Sequence, residues 1–339
     1  MIARLQVQLP FEISVPDGQE YNLSYYEHGL YLVRVLPPFR SKTLTVDNDH
    51  QVFLNGIKAF SADIVRVEFI KDSFDRCVVS PDDPPLPLME EALNSFLRRL
   101  RHVAKAPRIH PIELDETTWR VEYLNDDGTL LEAEHGFITM VGGIRWNFAF
   151  NALTKEVWED VHRLPLDYEP NPWDELLLDA QREMPNIGAG IVLAATALEV
   201  FISRILDKLA SRSTFPGAWA WINSRNYHNP TVEEQFDSLL KMFTSHSLKE
   251  DSQHWESFMR LKRARNSFVH EGLAKIGKMQ VDETEAKKLI DSASAIILRI
   301  RDWLPSDLLW PTFRNRIDIR ILKPIPWQEE ERPAVSEPT

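Results

Sequence analysis

The run Arg265-Asn266-Ser267-Phe268-Val269-His270, read with Ala197-Leu198-Glu199 upstream, holds the side chains best suited to chemistry in this chain. An arginine, an amide and an imidazole fall on one predicted helix, and a carboxylate falls on another. An imidazole titrates near neutrality, so it can accept or give a proton under ordinary conditions. A guanidinium presents a planar fork of donors that fits phosphoryl oxygens. These are the groups needed for attack of a ribose 2′-hydroxyl on the adjacent phosphate, with no metal and no cofactor. His270 would serve as general base or acid, and Arg265 would bind the phosphate and stabilise its developing charge. Asn266 would orient the histidine or the phosphate. Glu199 would fix Arg265 or set the histidine tautomer, as a third group orients a catalytic base elsewhere.

The spacing imposes a condition. At 100° per residue Asn266 and His270 lie one turn apart and share a face. Arg265 sits about 140° around the helix from His270. One copy of the chain therefore does not focus both side chains on one phosphate. A two-fold dimer can, if facing helices bring Arg265 and His270 of both copies around one cleft. Arg263, seven residues before His270 and nearly in line with it, competes with Arg265 as the working arginine. Arg260, Lys262 and Arg263 are candidate phosphate or RNA contacts. Structural readings stand beside each of these: an Arg265–Glu199 ion pair between helices, a buried Asn266, and a His270 favoured by the helix dipole. The basic cluster can equally be a solvated helix face.

The elements that must position these residues are helical. Three prolines within residues 164–173 mark a linker. Beyond it, residues 173–183 read as a short helix, and residues 185–209 as a long one with Ile191, Leu193, Ala194, Ala197, Leu198, Phe201, Ile202, Ile205 and Leu206 on its buried side. Thr231 and Glu234 form a capping box that opens a helix to about Thr244. Residues 250–270 make a further helix that stops at Glu271-Gly272. Asp282 or Thr284 starts another that ends near Trp303, ahead of Pro305. Residues 174–306 thus predict an up-and-down bundle of about five helices. In residues 307–339 the stretch 317–322 could form a strand, and the acidic, proline-containing end is expected to be disordered.

Residues 1–163 read as a β-rich α+β domain. Residues 30–36 and 62–69 alternate like half-buried strands. Asp47-Asn48-Asp49, Asn55-Gly56 and Asp126-Asp127-Gly128 are hairpin-turn chemistry, and residues 136–150, with Gly142-Gly143, predict two short strands or a bulged one. Between residues 87 and 105, Leu88, Ala92, Leu93, Phe96, Leu97 and Leu100 recur at helical spacing, opposite Glu90, Arg98 and Arg101. An antiparallel sheet with one or two helices follows, this amphipathic helix among them, and the fold class is α+β.

Composition bounds the rest. A net charge of −12 over 339 residues argues against a general nucleic-acid-coating protein. The acidity is uneven: residues 1–173 carry 17 Lys and Arg against 27 Asp and Glu, residues 174–310 carry 17 against 19. One cysteine, Cys77, excludes a disulfide framework or a cysteine zinc site within one chain. With no apolar run of transmembrane length and no signal-peptide core, a soluble cytoplasmic protein without a membrane partner is expected. Gly188-Ala189-Gly190 begins like a dinucleotide fingerprint but has Leu193 in sixth place and no preceding strand; close helix packing explains it better. Asp47-Asn48-Asp49-His50 holds three metal-ligand types, where turn chemistry already accounts for them.

The segment from Pro172 to Trp303 resembles a HEPN domain. That family's nuclease motif is an arginine and a histidine with four to six residues between them, the first of these polar, which Arg265-Asn266-Ser267-Phe268-Val269-His270 fits. Ala195-Thr196-Ala197-Leu198-Glu199 resembles the helix that supplies an acidic partner. The resemblance implies a metal-independent endoribonuclease, active as a homodimer on RNA, leaving a 2′,3′-cyclic phosphate, in a toxin–antitoxin, anti-phage or RNA-processing setting. Other members have lost catalysis and serve as binding modules. It does not cover residues 1–163, which would then recognise a trigger, a substrate or a protein partner, phage-derived ones included, or carry the function themselves.

Overall fold

The computed structural model describes residues 1–40, 51–74, 83–135, 152–212, 230–313 and the backbone of 319–322. An N-terminal antiparallel sheet domain precedes a mainly helical region of several packed helices. The chain divides into two compact units, one of Met1–Asn94, Pro111–Arg163 and Asn315–Thr339, the other of Ser95–His110 and Leu164–Arg314.

The first unit is built on strand β1 (Ile2–Pro16), which pairs with β5 (Ile57–Ile70) on one side and β6 (Trp119–Leu124) on the other. Strands β2 (Tyr25–His28), β3 (Tyr31–Phe39), β4 (Gln51–Leu54) and β7 (Leu130–His135) complete it, with β10 (Ile319–Leu322) beside β4. Asn55 and Gly56, at φ 51° and 81°, make the two-residue turn between β4 and β5 that matches the natural strand twist. Ala3, Leu5, Val7, Val65, Val67 and Phe69 are buried, one residue in two, so one face of the sheet forms a core. A second helix, α2 (Lys155–Arg163), follows at a position the sequence had not marked. The Asp47-Asn48-Asp49-His50 and Asp47-Asn48-Asp49 turn, the 136–150 strands, Cys77 and the C-terminal end lie outside the described residues.

Helix α1 (Leu86–Val103) is divided between the units. Its predicted apolar positions Ala92, Leu93, Phe96, Leu97 and Leu100 are buried. Arg101, read as part of the opposite polar face, is not on a solvated surface: its side chain is 7% exposed and is held by Glu175 and Asp179 at 2.5 and 2.6 Å. Neighbouring His102 is wholly buried beside Tyr168 and Phe313, ring centres 5.5 Å away, and among the described residues neither ring nitrogen has a hydrogen-bond partner. Burial, helped by Lys105 and Arg101, pulls its pKa from 6.5 to about 3. The unfolded chain then binds this proton more readily than the folded one. Stability from this group is therefore intact above about pH 6.5 and is lost as pH falls toward 3. At pH 5 the loss is about 2 kcal/mol. His102→Phe should flatten the decline of the urea midpoint between pH 7 and 5; a decline as steep as in the unmodified chain would contradict this.

The second unit continues with α3 (Pro172–Arg182) and α4 (Ile187–Ser211). Helix α5 (Val232–Glu234) opens at the Thr231–Glu234 capping box, passes through a π-helical turn (Gln235–Leu239) and becomes α6 (Leu240–Thr244). Helix α7 (Ser252–Glu271), a small hairpin of β8 (Lys275–Ile276) and β9 (Met279–Gln280), and α8 (Glu283–Arg301, capped by Asp282) follow. Of the predicted buried positions on α4, all but the half-buried Leu193 are interior. One sequence reading needs correction: α4 is long and apolar enough to cross a membrane by length and composition. Over half of that stretch is buried, as in a core helix of a soluble protein.

Candidate functional site

Asp251 caps α7 by accepting from the His254 N–H, and Gly272 ends it, its N–H bonded to the Phe268 carbonyl at 2.8 Å. Phe258, Leu261 and Ala264 recur every three residues and form the buried face. Phe268 extends that face one turn further, and its ring lies over Gly188 near the start of α4. A Cβ on Gly188 would sit 2.0 Å from a ring carbon. The small residues of Gly188-Ala189-Gly190 thus serve close packing, and they seat the helix that carries Arg265 and His270. Gly188→Ala is expected to cost about 1–3 kcal/mol by forcing the ring aside. Urea midpoints of that variant and of Gly188→Ala/Phe268→Ala test the cause. The double variant should lose less than the two single costs combined; strict additivity would mean the ring is not what resists.

Arg265 lies on the flank of this buried face. With Lys262, Phe258 and Leu261 it lines a shallow hollow against Glu199, Ala195 and Leu198 of α4 and Val232 of α5. The free volume of the hollow is about 10 Å³, scarcely room for one water molecule. The structure therefore brings Glu199 and Arg265 to one place, yet no hydrogen bond or ion pair joins them among the described residues. Glu199 instead acts at longer range on Lys262. Burial lowers the pKa of that amine, the negative Glu199 opposes the shift, and the positive Arg265 adds to it. Lys262 is also ion-paired to Glu233.

The Arg265 guanidinium bonds to the next residue of its own helix. Its Nη1 donates to Oδ1 of Asn266 at 3.1 Å, while its buried Nε finds no acceptor. Asn266 is half-buried, and His270, one turn later, is exposed and lies outside the hollow. Exposed Arg263 shares the His270 side of the helix and pairs with no carboxylate among the described residues. Arg260 is engaged by Glu285 at 2.5 Å. The basic cluster is thus partly neutralised: Arg260 and Lys262 have acidic partners, Arg263 and Arg265 do not. Val269, 52% exposed, lies between the hollow and His270 on the helix surface. Sequence reasoning missed the pairing of Lys262 with Glu233 and the seat of Phe268. The small residues at 188–190 were the available signal for the latter.

Among the described residues no group of three or more His, Cys, Asp and Glu side chains is placed to hold a metal ion. No family model, curated protein or solved structure matches the chain, so a functional reading has to stand on the chemistry of these side chains.

Proposed function

We propose that the helical region is a HEPN-type endoribonuclease that cleaves RNA by attack of the 2′-hydroxyl on the neighbouring phosphate. His270 moves the proton, Arg265 holds the phosphoryl oxygens, and Asn266 positions Arg265 between them. The observation that carries the reading is the Arg265–Asn266 hydrogen bond: it draws the guanidinium round the helix toward the side on which exposed His270 stands. Glu199 contributes through the field of the hollow, offsetting the positive charge of Lys262 and Arg265. A homodimer completes the site, with the exposed Val269 and His270 strip of one copy facing the other. The reaction uses groups of the chain and the RNA alone, with no cofactor. An anti-phage or toxin–antitoxin setting suits such an activity, with the sheet domain sensing a trigger.

A second reading is favoured by one observation. Within a single copy His270 stands outside the hollow that Arg265 lines, as it could in a binding or dimerisation module without catalysis. Incubating the full chain with total RNA and a chelator separates the two. Fragments ending in 2′,3′-cyclic phosphate and beginning with a 5′-hydroxyl are expected. Intact RNA in the presence of dimeric protein would decide for the binding module.

A further inference from the structure

Strand register sets two polar rows across the face of the N-terminal sheet opposite its core. In the first, Arg34 stands opposite Glu68, Glu68 opposite Arg4, and Arg4 opposite Glu122. In the second, two residues along each strand and so on the same face, Gln6 stands between Arg66 and Arg120. Four arginines meet two carboxylates, within the more acidic half of the chain.

The carboxylates are used up. Glu68, fully buried, holds Arg4 at 2.7 Å and Arg34 at 2.5 Å on its two oxygens. Glu122 takes Arg120 at 2.6 Å and Arg4 at 3.4 Å. Arg66 is left over. Its Nε donates to Gln6 Oε1 at 2.9 Å and its guanidinium lies 4.1 Å over the Phe39 ring, which fixes the plane of the fork. Among the described residues no carboxylate pairs with it. Burial lowers its pKa; Arg4 and Arg120 add to the shift, while Glu122 and Glu68 oppose it. An anion there would gain fixed donors that have already been ordered. Arg120, 37% exposed, opens the cluster to solvent on the β6 side. Across the sheet, Tyr25, 48% exposed, lies against Arg34 beside Leu32, 40% exposed. An exposed ring next to guanidinium groups offers a base a stacking surface, for which an acidic peptide has no use.

We propose that this face of the sheet binds the backbone of single-stranded RNA, one phosphate seated among Arg66, Arg4 and Arg120 and a base against Tyr25. The choice of RNA among polyanions rests on the cleavage reading above; the anion site itself does not.

The test is fluorescence anisotropy of a labelled 2′-O-methyl RNA 12-mer with the full chain. The methylated 2′-oxygen cannot attack, so the result is independent of whether the helical region cleaves. Arg66→Gln/Arg120→Gln should weaken binding about tenfold or more and flatten the salt dependence of log K by about 0.7, the value for one lost phosphate contact. Arg66→Lys, which keeps the charge but not the fork, should weaken it by a smaller factor and decides the matter if the double variant melts early. Failure of the unmodified chain to bind would overturn the proposal, as would wild-type affinity in a folded variant. So would polyglutamate binding with the same Arg66 dependence while the RNA analogue fails.

Discussion

His270→Ala is expected to slow RNA cleavage by about 10²–10⁴-fold, the range for losing a positioned acid or base, while leaving the fold intact. The second half follows from geometry. His270 is exposed in the last turn of α7 and makes no hydrogen bond or ion pair among the described residues. Truncation there removes no packing, so stability should change by no more than about 0.5 kcal/mol. Arg265→Ala should slow cleavage by about 10²–10³-fold through loss of charge stabilisation. Arg263→Ala provides the comparison, since Arg263 shares the His270 side of the helix without touching the hollow. Whichever arginine variant loses more identifies the phosphate-binding group. Mixing the two inactive proteins adds a stricter test. If the site is built across a dimer from Arg265 of one copy and His270 of the other, mixed dimers of Arg265→Ala and His270→Ala contain one intact pair. Activity should then reappear on mixing. Cleavage that survives both substitutions would remove these residues from the mechanism.

The angular conflict between Arg265 and His270 was legible from the helical period alone. Its partial relief was not, because a rotamer that bonds Arg265 to Asn266 depends on what lines the hollow behind it. Glu199 was likewise legible as a carboxylate on a facing helix. Its influence on Lys262 depends on how α4 and α7 cross, which side-chain shape decides. Local signals carried further. Thr231 with Glu234, Asp282 and Asn55-Gly56 each act within a few residues, and each marks a real element end or turn. Strand β1, central to the sheet, was not singled out, although Ala3, Leu5, Val7 and Leu9 alternate cleanly. Pro10 interrupts the pattern where the register with β5 shifts, between Gln8 and Ile13. The arginine rows of the sheet were invisible for a related reason: they exist only once register places residues 34 to 118 positions apart side by side.

Arg101→Ala is expected to destabilise the helical unit by about 3 kcal/mol, the lower end for breaking a buried ion pair. Arg101 was read as a surface residue because its partners lie 74 and 78 positions away on α3. Its side chain is 7% exposed, against 29% for Glu175 and 27% for Asp179, so the guanidinium is the desolvated member. Removing it leaves Glu175 without its ion-pair partner and beside Asp179, which keeps only Arg182 at 3.2 Å. Burial already pushes the Glu175 carboxyl above its ordinary pKa, Arg101 pulls it down, and Asp179 and Asp174 push it up again. Without Arg101 the remaining influences mostly point one way, and Glu175 should hold its proton to higher pH. A folded-state pKa raised above the unfolded one means stability falls as pH climbs through that interval. The variant should therefore be most damaged at neutral pH and recover part of its loss as pH falls through the carboxylate range. Adding Glu175→Gln and Asp179→Asn should restore much of the stability at pH 7, since amides carry no charge to strand. Equal urea midpoints for Arg101→Ala and the triple variant at pH 7 would show that lost packing of the arginine stem, and not the unpaired charges, causes the damage.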